Sequence, residues 1–221
     1  MSDDASRPVS SGPPHRPRLR NRVELNRKAQ PVSRDDQVCG FRGWHERGYL
    51  PHRDAPGLIQ FVTFRLADSF PAECRDEWER LLTIEDQVER RDQLERYLDL
   101  GYGACHLRDP RIAELTANAF KHFDGQRYQL IAWCVMPNHV HVLFETTNTP
   151  MAELIASWKR FTATNANKLL GQKGSFWQED YWDTYMRDAD DEARTVFYIE
   201  DNPRKAGMAN WRWRSTTKIP L

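Results

Sequence analysis

Two histidines separated by a single residue stand at the start of an apolar run, in the segment PNHVHVLF. In a β-strand, residues two apart project from the same face, so His139 and His141 would present two imidazoles side by side. Neighbouring imidazoles supply half of a divalent-metal site. Two polar residues on a solvated sheet face would give the same pattern, and the pair alone favours that plainer interpretation.

A second group of residues with chemical potential lies nearer the C-terminus. Arg194, Tyr198 and Asn202 are spaced by four, so on a helix they form one stripe. This stripe suits a tyrosine hydroxyl that attacks a phosphodiester, while His139, His141 and the Asn202 carbonyl hold a cation. The alternative is that Tyr198 is a half-buried helix residue, and helical spacing alone favours that alternative.

Charge is distributed unevenly along the 221 residues, although the formal net charge is zero. Residues 1–34 carry eight basic residues and three acidic residues. Residues 154–176 carry four basic residues and no acidic residue, and residues 202–221 carry five basic residues and no acidic residue. Residues 68–99 hold eleven acids against five basic residues. This asymmetry predicts separate basic surfaces for a polyanion, with ordinary solvated faces as the alternative.

The patterning of apolar and turn-forming residues predicts one α+β domain with a mainly antiparallel sheet. Residues 1–35 are rich in Pro, Ser and Arg and are predicted to be a disordered basic arm. Residues 36–207 form the predicted catalytic domain, followed by a basic tail at 208–221. The predicted elements are a strand at 58–68, one or two helices over 73–101, a helix at 111–123, a hairpin of strands 128–136 and 139–146, a helix at 151–170, a strand near 181–186, and a last helix that Asn202 and Pro203 end at about residue 201.

The expected compartment is the cytoplasm, in association with the nucleoid. No run approaches the roughly 18 apolar residues that a membrane span needs, and the polar N-terminus lacks a secretory signal. The four cysteines show neither a CxxC pair nor a zinc-ribbon spacing, which is typical of reduced thiols.

Three segments of the chain resemble a known family. WCVMPNHVHVLFE resembles the two-histidine strand of the HUH endonucleases, and FYIEDNPRKAGM resembles the tyrosine helix of the single-tyrosine transposases. The intervening segment SWKRFTATNANKLLGQKGSFWQEDYWDTYMRD is similar to the REP-associated tyrosine transposases, which act on repetitive extragenic palindromes. The similarity extends over about residues 41–213. It implies a ferredoxin-like antiparallel sheet, with both histidines on a central strand and the tyrosine on a helix across that face.

The resemblance also implies a role for each motif residue. It makes Tyr198 the nucleophile, His139 and His141 metal ligands, and Asn202 the third ligand, although an Asn before Pro is equally suited to a helix C-cap. The implied cofactor is Mg²⁺ or Mn²⁺. The implied reaction nicks single-stranded DNA beside a hairpin, leaving a 5′-phosphotyrosine and a free 3′-OH, as in DNA transposition and recombination.

DNA contacts are predicted for six residues. Three lie on the helix at 151–170 and three on or just beyond the tyrosine helix: Lys159, Arg160, Asn167, Arg194, Arg204 and Lys205. The expected partner is single-stranded or hairpin DNA. The resemblance favours a monomer over a homodimer.

Two other functions are compatible with the same residues. One is a non-catalytic binder of structured single strands. The other is a metal-dependent hydrolase that uses water as the nucleophile, with Glu145 or Asp201 as the base.

Overall fold

A computed structural model of the chain describes residues 31–47, 50–70, 75–84 and 87–216. Most of the predicted basic arm, residues 1–30, lies outside the described residues. The arm's disorder does not extend through residue 35 as predicted, because helix α1 (Arg34–Val38) already begins there. The Ser33 side chain caps that helix by accepting a hydrogen bond from the Asp36 amide at 3.1 Å.

Apart from a strand pair within residues 43–54, the strands and α-helices that follow occur in the predicted order. None of the described helices is both long and apolar enough to cross a membrane. The strands are β1 (Gly43–Arg47), β2 (Leu50–Asp54), β3 (Ile59–Arg65), β4 (Tyr128–Val135), β5 (His139–Thr146) and β6 (Trp182–Tyr185), and the further helices are α2 (Arg75–Leu82), α3 (Gln87–Asp99), α4 (Pro110–His122), α5 (Met151–Leu170) and α6 (Ala189–Lys205).

Strands β3 to β6 form one antiparallel sheet in the order β4-β5-β3-β6. With helices between β3 and β4 and between β5 and β6, this is the βαββαβ arrangement of a ferredoxin-like fold. The predicted α+β class, the antiparallel sheet and the central position of the histidine strand are confirmed.

The hairpin of β1 and β2 was not predicted. Its strands, GWHER and LPHRD, lack the alternation of apolar and polar residues by which a strand is recognised. It forms a separate two-stranded sheet. Asp54 at its end is buried and accepts a hydrogen bond from the Met151 amide at 3.2 Å, which satisfies the first turn of α5.

The two faces of the four-stranded sheet have different coverings. Val140, Val142 and Phe144 of β5 belong to the main core, together with residues of α4 and α5 such as Phe120 and Trp158. The alternate residues of β5 and β3 face a smaller apolar cluster that includes Ile199 of α6. Helix α6 therefore covers the face that carries His139 and His141.

The last helix does not end at residue 201 as predicted. It continues through Asn202 and Pro203 to Lys205, and Ala206 is its C-cap. Proline lacks the amide hydrogen that would bond to the carbonyl four residues back, but in the last turn this removes a single bond. Burial of Ile199 against the sheet holds the helix in place.

The predicted C-terminal tail is also partly built into the fold. Residues 208–216 are described, and the backbone at 213–215 pairs with the edge of β4: the Val135 amide donates to the Trp213 carbonyl and the Ser215 amide to the Trp133 carbonyl, both at 2.8 Å. The Trp211 indole adds a hydrogen bond to the Val135 carbonyl at 2.6 Å. This segment thus covers an edge of the sheet.

The packing of the loop before α4 can be tested by substituting Gly103. Its φ is +86°, and a Cβ there would lie 2.6 Å from the carbonyl oxygen of Asp68. Gly125 has a similar φ of +77° but open space around it. We expect Gly103→Ala to lower the free energy of unfolding by about 3 kcal/mol and Gly125→Ala by about 1 kcal/mol, because both incur left-handed strain but only the first clashes with backbone. Urea unfolding of both variants measures the difference, and equal losses would contradict the packing described.

Candidate active site

His139 and His141 lie side by side on β5, beneath α6. Both side chains are buried, at 1% and 0% exposure, and their rings meet edge to face with centroids 4.7 Å apart. Their Nε2 atoms are 3.1 Å apart. The strand alternation predicted from the sequence thus brings two imidazole nitrogens to one point.

The opposite nitrogen of each ring has a polar partner. The Nδ1 atom of His139 lies 2.8 Å from Oδ1 of Asn138, and that of His141 lies 2.8 Å from the Thr63 hydroxyl on β3. Asn138 in turn donates from Nδ2 to the Tyr102 carbonyl at 3.1 Å. Both rings are therefore oriented so that their Nε2 atoms point towards each other.

Tyr198 lies on α6 and packs against the histidine pair. Its ring lies edge-on to His141 with centroids 5.4 Å apart, and edge-on to Phe61 at 6.0 Å. The side chain is half-buried. One turn further on, Asn202 donates from Nδ2 to the Tyr198 hydroxyl at 2.9 Å. The structure brings all four predicted site residues together.

Asn202 is buried, at 1% exposure, and its Oδ1 atom has no hydrogen-bond partner among the described residues. Buried polar atoms are nearly always satisfied, so this oxygen is available to accept a hydrogen bond from a water or to bind an ion. The alternative that Asn202 caps the helix through its side chain is wrong, because the chain remains helical beyond it and Ala206 is the C-cap.

The side chains present fit a divalent cation. Two adjacent ligands at about 2.1 Å from one ion and at right angles are about 3 Å apart, the spacing found between the two Nε2 atoms. Among the described residues no group of three or more His, Cys, Asp or Glu side chains is arranged to hold a metal. The amide oxygen of Asn202, which lacks a hydrogen-bond partner among the described residues, is available as a further protein ligand.

The charge state of His139 also suits a ligand. Burial lowers the pKa of its imidazole to about 3, so the ring is neutral at neutral pH. A metal-binding histidine must be neutral to offer its lone pair.

The predicted DNA-contacting residues on α5 have different environments. The Lys159 ammonium donates to the carbonyl oxygens of residues 178, 179 and 180, at 2.9, 2.9 and 3.2 Å. Asn167 donates to the Gly174 carbonyl at 2.9 Å and accepts a hydrogen bond from Gln172 at 3.2 Å. Both side chains therefore hold the segment that follows α5. Arg160, in contrast, is exposed.

On α6, two of the three predicted contacts are ion-paired within the helix. Arg194 bonds to Asp191 at 2.5 Å, and Arg204 bonds to both carboxylate oxygens of Asp201 at 2.6 and 2.8 Å. The ammonium of Lys205 instead lies over the ring of Tyr198, 5.0 Å from its centroid. Lys205 is therefore the basic residue of this helix that lies beside the tyrosine.

Neither acid of the water-hydrolase alternative is well placed. Asp201 is paired with Arg204, and that hydrogen bond lowers the pKa of its carboxyl. Glu145 is four residues beyond His141 on β5, which corresponds to about 13 Å along the strand. It lies opposite Ile59, at the other end of β3 from Arg65, the partner of His139.

Sequence analysis missed two contributors to the site. Thr63 lies within the predicted first strand, but its contact with His141 depends on the β3–β5 register. Asn138 lies between the two predicted strands of the hairpin, and no role in the site was predicted for it. The available signal was its position directly before His139, because Asn side chains at strand ends readily bond to neighbouring groups.

A family model indicates the class of protein that this chain resembles. Residues 107–202 match the family model described as "Transposase IS200 like", a span that contains His139, His141, Tyr198 and Asn202. The chain therefore resembles the IS200-like transposases, as its motifs indicated.

A more particular similarity is to a protein of Haemophilus influenzae described as a putative REP-associated tyrosine transposase. The two are 30% identical over a region that covers 40% of this chain and 58% of that relative. The chain thus spans less than two thirds of the length of the relative that it matches.

Two solved structures are also similar to this chain. One is of a REP-associated tyrosine transposase bound to a REP hairpin, with a TM-score of 0.43, 18% identity, and coverage of 77% of this chain and 80% of that one. The other is a putative transposase from Deinococcus radiodurans, with a TM-score of 0.32, 14% identity, and coverage of 72% and 96%.

The buried imidazole of His139 predicts a pH-dependent stability. Between about pH 6.5 and 3 the unfolded chain binds a proton at this position and the folded chain does not, so stability falls as the pH is lowered through that window. We expect the free energy of unfolding to drop by on the order of 2 kcal/mol from pH 7 to pH 5 through this residue alone.

The measurement is urea unfolding at both pH values in the presence of a chelator. His139→Gln removes the titrating group, so its pH dependence should be smaller by that amount. An unchanged difference between pH 7 and pH 5 would show that His139 is protonated in the folded state.

Proposed function

We propose that this protein is a single-tyrosine transposase that nicks single-stranded DNA beside a hairpin and remains attached to the cut end. The observation that carries the proposal is the grouping of Tyr198 and Asn202 with the paired imidazoles on one sheet face. Two hydrogen-bonded pairs, His139 with His141 and Asn202 with Tyr198, meet on this face, and residues of these types suit phosphodiester transfer.

The nucleophile of the proposed reaction is the phenol oxygen of Tyr198. It attacks the phosphorus, the bond from phosphorus to the 3′ oxygen breaks, and the phenol proton is passed on so that the leaving oxygen becomes a 3′-OH. The product is a 5′-phosphotyrosine, and reversal with another 3′-OH rejoins the strand. Because Asn202 already donates to the phenol oxygen, the phenol's own proton must point elsewhere.

The cation of this site, Mg²⁺ or Mn²⁺, would be held by Nε2 of His139, Nε2 of His141 and Oδ1 of Asn202. When bound it acts as a Lewis acid that polarises the phosphate and offsets charge on the leaving oxygen. Asn202 then has two tasks, since one amide carries both the ligand oxygen and the donor to Tyr198.

Lys205 supports the nucleophile electrostatically in this proposal. Its ammonium lies over the ring of Tyr198, where positive charge favours the phenolate that develops as the proton leaves. Arg194 and Arg204, which are neutralised by neighbouring acids, are expected to contribute less to DNA binding.

The proposed substrate is hairpin DNA of the REP type, because this chain is similar to the REP-associated relative. The proposed setting is a monomer acting in the cytoplasm on nucleoid DNA. The exposed Arg160 on α5 is the proposed phosphate contact away from the cut site.

Substitution of the nucleophile gives the direct test of the reaction. Wild-type protein, incubated with Mn²⁺ and 3′-labelled hairpin DNA carrying a single-stranded flank, should form a labelled adduct that resists denaturation, because the protein stays on the 5′ phosphate of the downstream fragment. Tyr198→Phe keeps the ring packing but should reduce adduct yield at least 100-fold, because the attacking oxygen is gone. Tyr185→Phe is the matched control; Tyr185 lies on β6 opposite Gln60 of β3, and the variant should retain wild-type yield.

The same assay separates the other functions. A hydrolase that uses water predicts metal-dependent cutting that persists in Tyr198→Phe. A non-catalytic binder predicts hairpin binding that is unaffected by chelator and no adduct with any variant. An adduct formed equally by wild type and Tyr198→Phe would refute the assigned nucleophile.

Two adjacent residues of α5 are expected to respond differently to truncation. Arg160→Ala should weaken hairpin binding and reduce the slope of log affinity against log salt by about one, with stability unchanged. Lys159→Ala should instead lower the free energy of unfolding by about 2 kcal/mol, because its ammonium bonds to backbone carbonyls. Binding isotherms at several salt concentrations and urea unfolding measure both effects; identical profiles for the two variants would contradict the environments described.

A further inference from the structure

The partners of the two imidazoles differ in chemistry, although both lie 2.8 Å from an Nδ1 atom. His139 faces a carboxamide, which has a fixed donor end and a fixed acceptor end. His141 faces a hydroxyl, which donates or accepts by rotation. One contact therefore specifies the position of the ring proton and the other does not.

The orientation of the Asn138 amide follows from its second contact. Nδ2 lies 3.1 Å from the Tyr102 carbonyl, which only accepts hydrogen bonds. The end that faces His139 is consequently the oxygen, so Nδ1 of His139 must carry the proton. In the neutral ring, Nε2 then holds a lone pair that points towards His141.

The Tyr102 carbonyl is itself held in place by the loop before α4. Gly103 packs directly against the backbone of Asp68, and the Ala104 amide donates to the Asp68 carboxylate at 2.7 Å. The Leu107 amide donates to the Pro137 carbonyl at 3.1 Å, which ties the loop to the turn that bears Asn138. Asn138 is thus fixed from both sides.

The Nε2 atoms 3.1 Å apart restrict the second ring. Two lone pairs at this distance repel each other, so without a cation a neutral His141 keeps its proton on Nε2 and donates it to His139. Thr63 must then donate to Nδ1 of His141. With a cation between the rings, the proton of His141 belongs on Nδ1, and the Thr63 hydroxyl turns to accept it.

We propose that Asn138 and Thr63 are positioning residues for the cation: Asn138 locks His139 with its proton on Nδ1, and Thr63 allows His141 to exchange tautomers as the cation binds and leaves. This inference rests on the proposed function, because the cation belongs to the proposed nuclease. It adds that the ring proton of His139 stays on Nδ1, whereas the ring proton of His141 changes nitrogen when the cation binds.

Nitrogen spectra of the histidine rings test the inference without any nuclease assay. In the full-length protein with ¹⁵N-labelled histidine, chelator-treated samples should show His139 protonated on Nδ1 and His141 on Nε2. Saturation with Mg²⁺ should bring both rings to the Nδ1-protonated form. A chelated sample in which His141 is protonated on Nδ1, or His139 on Nε2, would overturn the inference.

Substitution of Thr63 tests the consequence for affinity. Thr63→Val is nearly isosteric but has no acceptor for the Nδ1 proton, so Mn²⁺ binding followed by electron paramagnetic resonance should weaken roughly 10- to 100-fold. Thr63→Ser retains the hydroxyl and should stay within about threefold of wild type. Equal affinity of wild type and Thr63→Val would overturn the inference, as would no Mn²⁺ binding by the wild type.

Substitution of Asn138 completes the series. Asn138→Ala should leave His139 as a mixture of tautomers, while near-ultraviolet circular dichroism reports whether the fold is retained. The wild-type spectra decide the role of Asn138 even if this variant unfolds. Expected tautomers and Mn²⁺ binding without a Tyr198 adduct would refute the nuclease alone, whereas a normal adduct with the wrong tautomers would refute only the positioning roles.

Discussion

The hydrogen bonding of two fully buried imidazoles is the constraint on which the site depends. A buried polar atom without a partner costs on the order of 1 to 3 kcal/mol, so two rings inside a sheet–helix interface require polar neighbours. Thr63 and Asn138 supply them on the Nδ1 side. The result is that both Nε2 atoms converge, and among the four motif residues Asn202 contributes a buried oxygen, Oδ1, without a hydrogen-bond partner.

Helix α6 joins this polar group to the apolar layer beneath it. Ile199 is buried against the sheet, whereas Phe197, two residues earlier, is 66% exposed. Tyr198 lies between these extremes, so its ring packs on Phe61 and His141 while the residue remains half-buried. This position suits the proposed nucleophile, because its ring is held by packing while part of the residue stays exposed.

Electrostatics near the site are set by local pairing more than by net charge. Arg194 and Arg204 each bond to an acid three residues earlier on α6, which reduces their attraction for a distant phosphate. Lys205 lies over the tyrosine ring instead. A formal net charge of zero is therefore compatible with a positive environment at the tyrosine.

The sequence by itself determined the order of the main strands and helices and the local placement of the motif residues: the shared face of His139 and His141 follows from strand alternation, and the stripe of Tyr198 and Asn202 from helical spacing. These are local periodicities, which is why the strand at 139–146 and the helix at 151–170 were predicted with their correct limits. The passage of α6 through Pro203 and the hairpin of β1 and β2 were not predicted. Packing of Ile199 against the sheet and the hydrogen bond from the Met151 amide to Asp54 join these segments to distant parts of the chain, and such contacts outweigh local propensity. The position of Tyr198 over the histidine face was implied by the family resemblance and not by any local pattern. Only the tertiary structure decided that Thr63 contacts His141, since strand register joins residues far apart in the chain.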